Sequence, residues 1–240
     1  MKFKTLAVIG CITAVSVGIL SLPLSLFADT PKRYHQHLEA AEKEPCTRCD
    51  GSELCTHLPL MVINTDEPIP GAGLLDENGH RIGFTAANDG SDRISAVMSV
   101  RDSETEYNHP SDEPDIKSNI IIHARGNSSR YFDKLNYRIK LVDENGKNNP
   151  QSLMGMDSHH EWALHGPFLD KTLIRNYMWY NIAGSIMRYA PNVRFCELII
   201  NGEYEGIYVL TELIGAGYKG EGRLNLSVNG KRNTYTGYLL

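Results

Sequence analysis

The sequence predicts an α+β domain built on a largely antiparallel sheet, and three observations lead to that fold class. Short segments in which apolar and polar residues alternate recur from residue 58 onward. One segment, residues 171–188, has the spacing of a long amphipathic helix. The strands and this helix do not alternate in the order that a parallel α/β sheet requires.

Length and composition bound the class of protein. The chain has 240 residues, of which 41% are hydrophobic and 22% charged, which suffices for one large core or two small ones. Its net charge of −5 offers no general attraction for nucleic acid, so no nucleic-acid partner is expected. Any anion-binding surface must therefore be a local cluster of cations.

The first 28 residues are typical of an export signal. Lys2 and Lys4 precede an uncharged apolar run, residues 5–28, which is also long enough to span a bilayer. Pro23 and Ala28 favour cleavage, but an uncleaved signal-anchor stays open. Either way, we expect a secreted protein or one tethered on the outer side of a membrane.

Residues 29–57 are predicted to form a polar linker that contains three cysteines. Cys46, Cys49 and Cys55 form, with His57, a pattern that could supply four zinc ligands. In an exported chain the spacing favours a local disulfide, which leaves one thiol unpaired. We therefore predict a disulfide rather than a metal site.

The strands are predicted in order along residues 58–240. They lie in "LPLMVIN", "ISAVMSV", "NIIIHARG", "NYRIKLV", a hairpin around Asn201-Gly202, "RLNLSVNG" and "TYTGYLL". Asn78-Gly79 and Asn145-Gly146 predict tight turns, because Asn-Gly readily adopts positive φ. In "NYRIKLV", alternation places Tyr137, Ile139 and Leu141 on the buried face.

Between these strands, Asp170 is a suitable N-cap for the predicted helix, and Ile174, Met178, Ala183 and Ile186 form its apolar stripe. In the following hairpin, Cys196 shares a strand face with Leu198 and Ile200, which predicts a buried, unpaired thiol.

The candidate site is the stretch "HARGNSSRYFDKLNYRIKL". The cations are Arg125, Arg130 and Lys134, while Asn127, Ser128 and Ser129 offer short hydrogen-bond donors beside Gly126. Phosphate recognition uses this combination of donors and cations. Spacing alone favours the simpler interpretation, a hairpin with solvated charges.

Three charged residues elsewhere are further candidates. Glu212 follows an apolar row on its strand face, where a carboxylate is normally paired or directed at a ligand. Asp170 and Arg175 flank the start of the helix, where capping and solvation would also explain them. The sequence shows no G-x-S-x-G, H-E-x-x-H or P-loop motif, and no catalytic or metal-binding residue is assigned.

Four motifs occur in series: Arg-Gly-x-Ser-Ser followed by Lys and Tyr, Trp-x-Leu, Asp…Arg-Asn, and Asn-Gly-x-Tyr-x-Gly-x-Tyr ending in Glu. Together they resemble the CotH family, the spore-coat-protein-H-like kinases. The resemblance implies an atypical protein-kinase-like fold, of which residues 58–240 would be the N-terminal part. It also implies ATP, Mg²⁺ or Mn²⁺, and phosphorylation of Ser or Thr on extracellular or coat proteins.

Applied to this sequence, the resemblance places the loop of residues 125–129 over the nucleotide phosphates and pairs Lys134 with them. The helix would orient Lys134, and Glu212 would lie near the adenine pocket. The helix contains no Glu to pair with the Lys, so Asp170 or Glu212 would have to do so.

The family's catalytic and metal-binding Asp residues would lie beyond Leu240. We therefore expect a fragment of a longer product or a truncated copy, without phosphotransfer to proteins on its own. The main alternative is a non-catalytic surface or coat protein that uses this domain to bind partners. A carbohydrate-associated β module ranks lower, because most aromatic residues lie in the helix and hairpin.

Overall fold

The computed structural model describes residues 33–44, 46–187 and 190–213. The chain divides into two units, Met1–Tyr34 and His35–Leu240, and all the described helices and strands lie in the second. The predicted export signal and the strands predicted after residue 213 fall outside the described residues. Among the described helices, none is long and apolar enough to cross a membrane.

The elements follow one another as strands with two helices and one 3₁₀ turn. They are α1 (Gln36–Glu39), β1 (Leu60–Asn64), β2 (Gly73–Leu75), β3 (Arg81–Phe84), β4 (Ile94–Arg101), β5 (Ile116–Arg125), the 3₁₀ turn (Ser128–Tyr131), β6 (Asn136–Val142), β7 (Glu161–His165), α2 (Arg175–Ile186), β8 (Val193–Ile200) and β9 (Glu203–Glu212).

Seven of the strands form a closed barrel in the order β1-β4-β5-β6-β7-β9-β8, while β2 and β3 pair separately. All neighbours in the barrel are antiparallel except β1 and β8, which are parallel. Every second side chain points inward, and the fully buried ones include Ile63, Ile120, Ile139, Trp162 and Leu198. The described chain is therefore mostly β with few helices, which agrees with the α+β prediction in general terms. Closure of the sheet into a barrel was not predicted.

The barrel has two ends, and the strand register assigns residues to each. The first is called the Lys134 end. Here β5 ends at Arg125, opposite Asn136 of β6. Strand β7 also ends here, at His165, and β9 begins here at Glu203. At the other, the cysteine end, the loop of residues 102–115 joins β4 to β5, and β9 finishes at Glu212.

Three of the local predictions are confirmed. Strand β6 has the predicted bounds, with Tyr137, Ile139 and Leu141 buried. The hairpin of β8 and β9 turns at Asn201 and Gly202, whose φ angles of 51° and 84° fit a two-residue turn that follows the strand twist. Cys196 is also fully buried inside the barrel, as predicted.

The predicted long amphipathic helix is not confirmed. Helix α2 begins at Arg175 because Leu173, with a φ of 62°, interrupts the preceding turn. Its buried residues are Tyr177 and Asn181, whereas Ile186 of the predicted apolar stripe is 79% exposed. The Tyr177 ring stacks on Phe195 with centroids 4.4 Å apart, so an aromatic contact with the outside of β8 orients the helix.

Candidate functional site

The loop after β5 is tightly folded upon itself. Gly126 has a φ of 120°, and a Cβ at this position would collide with the hydroxyl of Ser129. Glycine is therefore required for the loop's own packing as well as for its backbone conformation. Arg125 and Ser128 remain exposed at the surface of this loop.

The small β2–β3 hairpin packs against the 3₁₀ turn. The rings of Phe84 and Tyr131 lie 5.6 Å apart, and the guanidinium of Arg130 lies 3.2 Å from the centroid of Phe84. Arg81 lies 4.5 Å from the centroid of Tyr131. Arg130 and Arg81 thus lie against aromatic rings, whereas Arg125, the other arginine near this loop, is exposed as a residue, although partial desolvation lowers the pKa of its guanidinium.

Lys134 is held by three residues of β9. Its Nζ donates a hydrogen bond to the carbonyl oxygen of Glu205 at 2.8 Å and lies 4.4 Å from the centroid of the Tyr208 ring. Gly206 has a φ of 86°, and a Cβ there would lie 3.0 Å from Nζ. The carbonyl group of Glu205, together with Gly206 and Tyr208 of the β9 motif, thus holds the ammonium group of Lys134, and these three residues are called its seat.

Lys134 is partly buried beside two buried tyrosines, Tyr137 and Tyr208. Desolvation lowers the pKa of Lys134, although the nearby Glu205 opposes this. Burial also raises the pKa of Tyr137 to about 12 and raises that of Tyr208, so both phenols are neutral at physiological pH. The Tyr208 hydroxyl is buried and has no hydrogen-bond partner among the described residues.

Three charged or titratable side chains surround the end of β7. Burial lowers the pKa of His165, Arg125 lowers it further, and Asp170 raises it. Arg125 forms no ion pair within the described part of the chain. Asn136 connects this region, since it faces Arg125 and accepts a hydrogen bond from the backbone N–H of Gly166 at 2.9 Å.

Asp170 interacts with both Thr172 and Arg175. The Asp170 carboxylate accepts hydrogen bonds from the backbone N–H of Thr172 at 3.1 Å and of Arg175 at 2.8 Å. Arg175 Nε lies 3.5 Å from Asp170 Oδ1. Hydrogen bonding with Thr172 lowers the pKa of Asp170. The N-cap position of α2 is occupied by Ile174, so the prediction of Asp170 as the N-cap is wrong, although its carboxylate accepts the backbone N–H of the first helical residue.

Glu212 is placed apart from Lys134. Six residues at about 3.3 Å each separate it along β9 from Gly206, which is roughly 20 Å. Glu212 is buried at the cysteine end and accepts a hydrogen bond from the side-chain amide of Asn192 at 2.8 Å. The structure therefore brings Arg125, Ser128, Ser129 and Lys134 to one end of the barrel and Glu212 to the other.

The residues that sequence reasoning missed at this end are Glu205, Gly206, Tyr208 and His165. Gly206 and Tyr208 were visible as motif positions of the hairpin, but their spacing indicates nothing about Lys134. His165 ends β7, a strand that the sequence did not predict.

The family model described as CotH kinase protein matches residues 122–231. This match supports membership in the CotH family. Within the described residues, the match runs from the second half of β5 through β9 and so includes the loop, Lys134 and its seat on β9. No curated protein matches the chain. The similarity of this region to CotH kinase proteins suggests a kinase-like function in general terms, without indicating a substrate.

The three linker cysteines lie at the opposite end of the barrel. The structure contains no disulfide between any two of them. Their sulfur atoms and the imidazole of His109 place four ligand atoms within 4.8 Å of one another. The fourth member is His109, from the loop between β4 and β5, rather than the predicted alternative His57.

Proposed function

We propose that the Lys134 end of the barrel binds the phosphates of ATP, and that the chain is the nucleotide-binding part of a CotH-type kinase. Arg125 and Lys134 would supply positive charge, and the hydroxyls of Ser128 and Ser129 would supply short donors. The observation that carries the proposal is the seat of Lys134, which holds an ammonium group against one carbonyl oxygen and one ring face.

The seat fits a phosphate for a physical reason. A carbonyl oxygen and an aromatic face attract an ammonium group less strongly than an anionic oxygen does, and partial burial strengthens any new ion pair. Arg125 is exposed nearby without an ion pair among the described residues, so a bound phosphate would have a second cation available. The buried, neutral tyrosines would limit the access of water to Lys134.

The protein substrate, the metal ion and the location of the chain are proposed from the family resemblance and the apolar N-terminal run. ATP would donate its terminal phosphoryl group to Ser or Thr of extracellular or coat proteins, and Mg²⁺ or Mn²⁺ would neutralise the phosphates. The chain would be secreted or tethered outside the cytoplasm through residues 5–28. Asp170 already pairs with Arg175, and Glu212 lies at the far end, so neither is assigned as a metal ligand.

A second candidate function, a non-catalytic module that binds a protein partner, is supported by the exposed side of α2. Trp179 is 62% exposed and Ile186 is 79% exposed, while Leu169, just before the helix, is 71% exposed. Large apolar side chains that cluster at a surface are typical of protein interfaces.

Titration of the full chain with ATP in the presence of Mg²⁺ or Mn²⁺, followed by calorimetry, tests the first proposal. We expect Lys134→Ala and Arg125→Ala each to weaken binding about tenfold or more, which is about 1.4 kcal/mol. Lys117→Ala is the matched control, because Lys117 is an exposed cation near the start of β5, toward the cysteine end. Thermal melting of each variant separates a loss of binding from a loss of folding.

Equal weakening by all three substitutions, or no nucleotide binding by the folded chain, would contradict the proposal. In the latter case, loss of partner binding on Trp179→Ala would favour the non-catalytic module.

A further inference from the structure

Four side chains from two separate segments converge at the cysteine end of the barrel. Cys46, Cys49 and Cys55 precede β1, whereas His109 lies in the loop between β4 and β5. Cys46 Sγ lies 3.4 Å from His109 Nε2. Around tetrahedral zinc, with Zn–S near 2.3 Å and Zn–N near 2.0–2.1 Å, a sulfur and a nitrogen ligand are separated by about 3.6 Å. The observed spacing is therefore close to that of a coordinated pair.

The imidazole of His109 is oriented as a metal ligand. Its Nε2 points to the sulfur atoms, and its Nδ1 lies 3.1 Å from the carboxylate of Asp112. The same carboxylate accepts the backbone N–H of His109 at 2.8 Å and lies 3.3 Å from Arg48. A carboxylate on the distal nitrogen fixes the tautomer in which Nε2 is free to bind a metal. Only 3% of His109 is exposed, so the ring has little freedom to turn away.

We propose that Cys46, Cys49, Cys55 and His109 bind one Zn²⁺ ion in a closed structural site. Thiolate and imidazole ligands select zinc over magnesium or calcium, which prefer oxygen ligands. Four protein ligands leave no position for a substrate, so the site is structural rather than catalytic. Each bound thiol releases its proton to solvent, and the site with its ion carries a net charge of −1, close to Arg48.

The zinc ion would join two segments that already touch. Thr56 and Asn108 exchange backbone hydrogen bonds of 3.1 and 2.7 Å, and the hydroxyl of Ser111 donates to Glu53 at 2.7 Å. Zinc binding would fix the segment before β1 to the β4–β5 loop and so stabilise this end of the barrel. His57, the alternative ligand in the sequence, lies instead beside Tyr107, with ring centroids 6.2 Å apart.

A disulfide would account for fewer of these four side chains. It would join two of the three thiols and leave the third, together with the oriented imidazole, without a role. The proposal does not depend on nucleotide binding, since the Lys134 end contributes none of the four ligands.

Metal analysis of the purified full chain tests the proposal, with thiols counted before and after a strong chelator. We expect one zinc per chain, and three thiols that become reactive when the chelator removes it. Cys11→Ser and Cys196→Ala in the background remove the two other cysteines, so that the count refers to the cluster alone.

Paired variants identify the fourth ligand. We expect His109→Ala to abolish stoichiometric zinc and His57→Ala to retain it, while His109→Cys, which supplies a fourth thiolate, restores it. Asp112→Asn should weaken zinc affinity about 10- to 100-fold, because it removes the carboxylate that orients the imidazole. In the cobalt-substituted chain, His109→Cys should change the spectrum from three thiolate ligands to four.

Two results would overturn the proposal. One is a chain, purified with zinc present, that contains no zinc and has a disulfide between two of the three cysteines. The other is equal zinc binding by the His109→Ala and His57→Ala variants. Rescue by His109→Cys separates loss of a ligand from misfolding of the loop.

Discussion

At the cysteine end of the barrel, four potential ligands face one another, and the imidazole among them is fixed by a carboxylate. At the Lys134 end, Arg125 is exposed without an ion pair among the described residues, and the ammonium of Lys134 rests on a carbonyl and a ring. The first end has the form of a closed site completed by a small cation. The second has the form of an open site, in which cations remain available to an external anion.

This difference indicates how each end is expected to respond to substitution. A closed site of converging ligands should lose its ion when one ligand is removed, with an effect on stability. An open site should lose affinity for its ligand with little change in stability, because its polar groups contribute little to the fold. Three further predictions test this contrast at the Lys134 end.

The largest effect is expected from Gly206→Ala. Both Gly206 and Gly202 have positive φ, 86° and 84°, so an alanine at either costs about 1–2 kcal/mol of the free energy of unfolding. Only at Gly206 would the added methyl group lie 3.0 Å from Lys134 Nζ and displace the ammonium. Denaturant unfolding should show that both variants are destabilised to a similar extent. Calorimetry should show that ATP affinity falls about tenfold only in Gly206→Ala. Equal ATP affinity in the two would show that the seat does not position Lys134 for phosphate.

A smaller effect of opposite sign is expected from Tyr208→Phe. The buried Tyr208 hydroxyl has no partner among the described residues, so its removal should raise the free energy of unfolding by about 1 kcal/mol while retaining the ring under Lys134. Tyr131→Phe is the control, since the Tyr131 hydroxyl donates to the carbonyl of Gly83 at 3.3 Å and its loss should destabilise the chain. Destabilisation by Tyr208→Phe would mean that water or a ligand occupies the space beside the hydroxyl.

The smallest effect concerns the pKa of His165. Burial lowers it most, Arg125 lowers it further and Asp170 raises it, so Arg125→Gln should raise the pKa and Asp170→Asn should lower it. Because the folded-state pKa lies below that of the unfolded chain, the unfolded state binds more protons at acid pH. Stability should therefore fall as pH decreases through about 6.5. NMR titration of the imidazole measures both shifts, and Lys117→Ala, on the far end of β5, should leave the pKa unchanged.

The local parts of the fold were predictable because their signals are local. Alternation over seven residues defines β6, and two consecutive positive-φ residues define the turn at Asn201 and Gly202. Burial of Cys196 followed from its strand face. The face of α2 was not predictable in the same way, because it is determined by stacking of Tyr177 on Phe195, which lies beyond the helix in sequence.

The two candidate sites were less predictable because each joins distant segments. Lys134 meets Gly206 across 72 residues, and neither motif alone indicates the other. The cysteines suggested His57 as a nearby fourth ligand, but pairing of Thr56 with Asn108 brings His109 to the sulfur atoms instead. Glu212 was predicted to be paired or directed at a ligand, and its buried carboxylate does pair with Asn192, yet strand length places it away from Lys134.

The parallel pairing of β1 with β8 has a consequence for how the chain folds. Leu60 pairs with Glu197, so closure of the barrel joins strands 137 residues apart. At a synthesis rate of about 5–20 residues per second, β1 waits roughly 7–27 s for its second partner to emerge. Such non-local pairing slows folding, and until it forms the apolar segment "LMVIN" has an unpaired backbone edge. Aggregation of nascent chains is therefore expected to begin at β1, and an anti-aggregation substitution is best placed on its exposed residue, Asn64.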